Sequence, residues 1–182
     1  MAKTALFLAD GYEEIEALAV VDVFRRADIE LDMVSVSDEL LTNGSHGIQV
    51  MADKLLKDVC FDEYDMLILP GGLKGMQNLE ACEMLMQQVD SFYENDKFIA
   101  AICASPSIFG RRGILEGRQA TAYPGFEAEL KGATVVDAGA VRTGHVITGR
   151  SMGSAIEFAL LLVDTLLGKE KAEEIAQQIV YQ

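Results

Sequence analysis

Cys103 is the residue whose surroundings most clearly suggest chemistry. The chain there reads Phe98-Ile99-Ala100-Ala101-Ile102-Cys103-Ala104-Ser105-Pro106, and a helical pattern, Ser107-Ile108-Phe109-Gly110-Arg111-Arg112, begins directly after it. An apolar run of this kind forms a buried strand, and the small residues behind it allow a crowded turn into a helix. That is the sequence of a nucleophile elbow, which leaves the side chain at the turn strained and exposed. Pro106 suits the first turn of a helix, where its missing N–H is no loss. A thiol just before a helix N-terminus is expected to have a lowered pKa and to favour the reactive thiolate. The competing reading, a buried structural cysteine at a strand end, does not explain the turn residues and the proline.

Glu16 is the second candidate. On a helix over Glu13–Ala27, Val20, Val23, Phe24 and Ala27 form the apolar stripe, and Glu16 lies in line with Val20 and Val23. A carboxyl on a buried stripe needs a partner. Burial raises its pKa, so it would stay protonated and donate a hydrogen bond to a Cys103 thiolate. As an ordinary first-turn acid it would instead complement the helix dipole, and spacing leaves both readings open. Glu13 falls on the edge of the same stripe. Glu14 is expected to point away.

Pro70-Gly71-Gly72-Leu73-Lys74-Gly75 follows a buried strand and precedes a helix. Paired glycines expose backbone N–H groups and allow close approach, so Gly71, Gly72 and the Ala104 N–H are candidates to bind a reacting oxygen. A plain turn is the alternative. A phosphate cradle is disfavoured because neither the G-x-G-x-x-G spacing nor the Gly-Lys-Ser/Thr ending is present. No histidine follows the elbow closely; Tyr123, in Ala120-Thr121-Ala122-Tyr123-Pro124-Gly125, stands there instead. His145 begins a late strand and His46 lies in a Gly/Ser loop, so a Cys-His dyad has no local support. Cys60 and Cys82 have no elbow around them and read as structural.

The 182 residues are half apolar, enough for one domain, 1–182, with a sizeable core. A formal charge of −14 argues against nucleic acid and against anionic membrane surfaces. No apolar stretch approaches the roughly 20 residues needed to cross a bilayer. The short apolar run near Met1 reads as a first strand rather than a secretory signal. Three cysteines without metal-ligand spacing fit free thiols in a reducing compartment, and two histidines make a zinc site improbable. A cytoplasmic protein without metal is expected.

The elements that must position Cys103 and Glu16 alternate in type. Strands are expected at Lys3–Ala9, Leu31–Val36, Asp65–Leu69 and Lys97–Ile102, with shorter ones at Ala133–Val136 and His145–Thr148 and a hairpin arm or edge strand at Gly47–Met51. Helices are expected over Glu13–Ala27, Asn78–Glu94, Ser154–Leu167 and Lys169–Ile179. Continuously apolar strands alternating with helices imply a mostly parallel sheet covered on both faces, an α/β three-layer sandwich. In such sheets the site lies beyond the C-terminal ends of the strands, which selects the loops at Asp10–Glu16, Pro70–Gln77 and Cys103–Ser107.

Three separated motifs, Glu13-Glu14-Ile15-Glu16, Leu69-Pro70-Gly71-Gly72 and Ala100-Ala101-Ile102-Cys103-Ala104, together resemble the DJ-1/ThiJ/PfpI superfamily, with its DJ-1 branch closest in pattern. The resemblance continues through Val21-Asp22-Val23-Phe24-Arg25-Arg26-Ala27 and Ser154-Ala155-Ile156-Glu157-Phe158-Ala159-Leu160, nearly end to end. It implies a flavodoxin-like fold and a homodimer. Cys103 would be the reactive cysteine and Glu16 its protonated partner, with Gly71, Gly72 and Ala104 supplying backbone around an oxygen. It also implies cofactor-independent glyoxalase activity on methylglyoxal-type dicarbonyls or deglycation of their adducts. Further roles it implies are oxidative-stress sensing through the cysteine and a chaperone role. A cysteine hydrolase or peptidase, as in wider branches, would need a base. Where close relatives carry a histidine before a proline, this chain has Tyr123-Pro124. Relatives also place an arginine where the His46 loop falls. Arg150 matches a family arginine near the pocket and is expected to help bind an anion.

Overall fold

A computed structural model describes residues 2–182; Met1, which the expected 1–182 domain includes, lies outside them. The strands are β1 (Lys3–Leu8), β2 (Glu30–Ser35), β3 (Leu41–Asn43), β4 (Gln49–Met51), β5 (Lys54–Leu55), β6 (Met66–Leu69), β7 (Phe98–Ile102), β8 (Gln119–Ala120), β9 (Thr134–Val135), β10 (Ala140–Thr143) and β11 (Val146–Gly149). The helices are α1 (Glu14–Arg26), α2 (Leu73–Glu80), α3 (Glu83–Glu94), α4 (Pro106–Arg111), α5 (Ala155–Leu167) and α6 (Lys169–Gln178). Seven strands form one sheet in the order β10-β11-β7-β6-β1-β2-β5, parallel throughout except for the β10–β11 hairpin at one edge.

Both faces of the sheet are covered, which is why its central strands carry near-continuous apolar runs, Ala5–Leu8 in β1, Met66–Leu69 in β6 and Phe98–Ile102 in β7. Successive side chains alternate between faces. Leu6 and Leu8 join the core under α1, α5 and α6, while Ala5 and Phe7 join the core under α2, α3 and α4. The three-layer α/β sandwich expected from the alternating elements is the fold found.

Local differences have physical causes. The single helix expected over Asn78–Glu94 is two. Gly72, at φ +87, starts α2 earlier, and an extended backbone at Cys82 separates it from α3. The Gly47–Met51 arm pairs as β4 with β3 in a separate hairpin, and β9 pairs with β8 away from the main sheet. Neither β10 nor β5 is expected from sequence. β10 is half-exposed and lacks an apolar run, and β5 is two residues long.

Candidate active site

β7 ends at Cys103, and the chain turns there with φ +67, a left-handed conformation that costs a non-glycine residue about 1–3 kcal/mol. Hydrogen bonds hold the turn in place. The Cys103 N–H donates to the Gly149 carbonyl at 3.0 Å, and the Tyr123 N–H donates to the Cys103 carbonyl at 2.9 Å. The buried Ser105 hydroxyl donates to the Pro70 carbonyl at 2.6 Å and ties the elbow to the glycine loop. α4 follows with Pro106 at its start, as the elbow reading requires.

Glu16 is 1 % exposed. Its Oε2 accepts the Gly71 N–H at 2.9 Å, and its Oε1 is buried with no fixed hydrogen-bond partner. The Cys103 thiol is the polar neighbour that most strongly opposes the effect of burial on this carboxyl. Burial pushes Glu16 up to about 7, against the thiol and the Gly71 N–H. Burial, and then the charge of Glu16, push the Cys103 thiol up to about 12, while the Gly72 and Ala104 N–H groups pull it down. The two groups therefore titrate as a pair. The first proton leaves near neutrality and the second is strongly held, so a Cys103 thiolate forms by passing its proton to Glu16. The expectation of a thiol lowered at the helix start is not met, because burial and the Glu16 charge outweigh the Gly72 and Ala104 N–H groups.

The two glycines act differently. The Gly71 N–H is donated to Glu16 and its carbonyl accepts the Glu13 N–H at 2.9 Å, so Gly71 seats the carboxyl rather than offering a free donor to an oxygen. A Cβ on Gly71 would stand 2.5 Å from both the Cys103 Cβ and Glu16 Oε2, which only glycine avoids. The free donors toward the sulfur are the N–H groups of Gly72 and Ala104.

Glu13 caps α1, accepting the Glu16 N–H at 2.8 Å. Glu14, expected to point away, is 2 % exposed. Its Oε1 accepts the His46 N–H at 2.6 Å, and its Oε2 lies 3.1 Å from the Ser45 hydroxyl and 2.9 Å from His46 Nδ1. Burial alone would raise its pKa; the His46 ring and N–H, with Ser45, hold it down at about 2. Sequence reasoning misses Glu14 because its partners lie some thirty residues away on the β3–β4 turn. Glu13, Glu14 and His46 place possible metal-ligand atoms within 4.8 Å of one another, but the Glu14 oxygens and one Glu13 oxygen already hold these donors.

Tyr123 is half-exposed and reaches the elbow through its backbone. The Arg150 guanidinium pairs with Asp137, so it is not a free anion-binding group at the thiol. His46 is held by Glu14, and His145 packs on Tyr93 with Nδ1 3.4 Å from Asp96. Neither histidine serves Cys103.

The DJ-1/PfpI family model matches residues 2–165. The chain belongs to that family. It is similar to Protein DJ-1 homolog B of Arabidopsis thaliana, 38% identical over 98% of this chain. The chain spans only 41% of that protein's length. It is also similar to the glutathione-independent glyoxalase DJ-1 of Schizosaccharomyces pombe, 30% identical over 98% of both proteins. The solved structure of oxidized Toxoplasma gondii DJ-1 superposes with a TM-score of 0.95 at 35% identity, covering 100% of this chain and 99% of that one. Membership thus joins the elbow cysteine and the buried glutamate to a family in which one relative carries the name glyoxalase. No helix among the described residues is long and apolar enough to cross a membrane.

Proposed function

We propose that the chain is a thiol-dependent glyoxalase, converting methylglyoxal-type dicarbonyls, free or as early adducts, to hydroxy acids with no cofactor. The observation that carries this reading is the elbow itself, where Cys103 at φ +67 stands beside the buried Glu16 carboxyl seated by the Gly71 N–H, with the Gly72 and Ala104 N–H groups toward the sulfur. Cys103 gives its proton to Glu16 and its sulfur attacks the aldehyde carbon. The resulting alkoxide is held by the backbone donors and protonated to a hemithioacetal. Removal of the C1 proton by the Glu16 carboxylate gives an enediol, and return of a proton to C2 gives a lactoyl thioester. Water then cleaves the thioester, releasing lactate and the thiol; overall, methylglyoxal and water become lactate. The glyoxalase name of the fission-yeast relative supports the substrate class.

The test is lactate formation from methylglyoxal, without glutathione or added metal, in wild type, Cys103→Ser and Glu16→Gln. Lactate lost in Cys103→Ser and strongly reduced in Glu16→Gln supports the reading. Lactate unchanged in Cys103→Ser defeats it.

A second reading, oxidative-stress sensing at the same cysteine, is favoured by the oxidized form of the Toxoplasma relative. Glu16 would then donate to the oxidised sulfur. Mild peroxide should add oxygen at Cys103 ahead of Cys60 and Cys82; equal oxidation of all three would count against it.

The proposal extends to a cytoplasmic homodimer in which each chain is one domain. Ile15, Ile48, Met51 and Met152 are each more than half exposed, apolar side chains that a second copy would cover. Light scattering should return twice the 19.8 kDa chain mass at micromolar concentration, and a mass of one chain would remove the dimer.

A further inference from the structure

Pro70 and Gly71 share one peptide group, and the site holds that group at both ends. Its carbonyl accepts the Ser105 hydroxyl at 2.6 Å, and its N–H donates to Glu16 Oε2 at 2.9 Å. The peptide is trans, so the two bonds point in opposite directions across one plane. Ser105, Pro70, Gly71 and Glu16 are all buried, so water does not stand in for either bond. The glycines that follow Pro70 give the backbone little orientation of its own. A hydrogen bond to the carbonyl polarises the peptide and strengthens its N–H as a donor. The hydroxyl on the elbow is thus linked through one rigid plane to the carboxyl on α1. The other groups facing that carboxyl are the Cys103 thiol on the elbow, the Met152 N–H ahead of α5 and the Glu13 charge at the start of α1. The thiol and the two N–H groups favour the carboxylate, whereas burial and Glu13 favour the acid. Ser107 provides a contrast. It is equally buried, but its hydroxyl donates to the Ala104 carbonyl at 2.6 Å, within its own turn and away from the Pro70–Gly71 peptide.

We propose that Ser105 is a positioning residue: through the Pro70–Gly71 peptide it strengthens the donor facing Glu16 and keeps that carboxyl acidic enough to return the proton it takes from Cys103. A group that both accepts and gives back a proton works best when neither form is strongly preferred at the working pH. Without the hydroxyl, the buried Pro70 carbonyl loses this donor, the Gly71 N–H is held less firmly, and Glu16 binds its proton more tightly. The proposal rests on the reading of Cys103 and Glu16 as a proton-exchanging pair, but its test needs no turnover.

The test is the pH dependence of Cys103 alkylation by iodoacetamide, a neutral reagent, in a Cys60→Ser/Cys82→Ser background. The thiolate displaces iodide and a thioether forms. The rate should rise as the pair loses its first proton and then level off, and Glu16→Gln should abolish that inflection. Ser105→Ala should move the midpoint alkaline by about half a pH unit and raise the plateau about threefold, because a more basic Glu16 takes the thiol proton more readily. Well below the midpoint the two profiles should coincide, since Glu16 is protonated in both. Ser105→Gly, which also lacks the hydroxyl, should match Ser105→Ala. Ser107→Ala removes an equally buried hydroxyl and should leave midpoint and plateau in place. A midpoint that stays or moves acid without the Ser105 hydroxyl, an equal alkaline move in Ser107→Ala, or an inflection that survives Glu16→Gln would overturn the role of Ser105. Lactate formation with an unmoved midpoint removes the positioning role alone. A Ser105-dependent midpoint without lactate removes the glyoxalase reading alone.

Discussion

Glu14 and Glu16 lie on the same helix turn, 2 % and 1 % exposed, and their carboxyls are driven in opposite directions. Glu14 faces the β3–β4 turn, where two N–H or imidazole groups and a hydroxyl converge on its oxygens. Glu16 faces the elbow, where one N–H donates and one oxygen is left without a fixed partner beside a thiol. Desolvation is the leading influence on both; the number of donors decides which way the proton goes. The Glu14 region is a filled hydrogen-bond network and acts as structure, pinning a hairpin to α1. At Glu16 an acceptor is left open, and the proton there is free to move.

The largest expected effect follows from that contrast. Glu16→Gln keeps the shape and removes the titrating group, so lactate formation should fall by about a hundred- to ten-thousandfold while the fold persists. Glu14→Gln should do the reverse. It removes the charge that orders Ser45 and His46, costing about 2–3 kcal/mol of stability, with activity per folded molecule much less affected. Urea unfolding and lactate assays on the two variants check this. If both variants lose activity to the same degree, the division into a structural and a chemical glutamate fails.

The pH dependence of stability comes next. Glu16 has a folded pKa raised to about 7 from an ordinary 4.5, so folding favours its protonated form. Its contribution is best at low pH, declines as pH rises from about 4.5, and levels off above about 7. Glu14 is lowered to about 2, so its contribution is complete above about 4.5 and is lost as pH falls toward 2. Wild type minus Glu16→Gln should therefore grow less favourable by up to about 3 kcal/mol between pH 4.5 and 8. Wild type minus Glu14→Gln should hold between about pH 4.5 and 6, decline slightly above that as His46 gives up the proton that Glu14 favours, and collapse below pH 4.5. Urea midpoints at pH 4.5, 6 and 8 separate them; parallel curves would mean that the two sites do not differ in proton affinity.

The same contrast explains what could be read from sequence. Cys103 was legible because strand, small turn and Pro106 are contiguous, and Glu16 because helix spacing puts it in line with Val20 and Val23. The alternation of buried strands and helices carried the three-layer fold. Glu14 was not legible, since its burial comes from Gly44, Ser45 and His46, and no local periodicity encodes that contact. Equally hidden was the masking of Arg150 by Asp137, a pairing made across a loop. The proton balance of Cys103 was also hidden, because it depends on desolvation by the assembled site rather than on the helix that follows.

The smallest effect expected is at His46. Its ring is largely exposed, and Glu14 keeps the His46 backbone N–H and the Ser45 hydroxyl when the ring is removed. His46→Ala should therefore cost far less stability than Glu14→Gln. The Glu14 carboxylate raises the His46 pKa, so the ring's contribution is present below its unfolded value and is lost as pH rises through the folded one. The gap between wild type and His46→Ala should narrow toward alkaline pH, opposite in sign to the acid-side loss from Glu14. A gap that widened with pH would show that the neutral ring, not the cation, holds the β3–β4 turn.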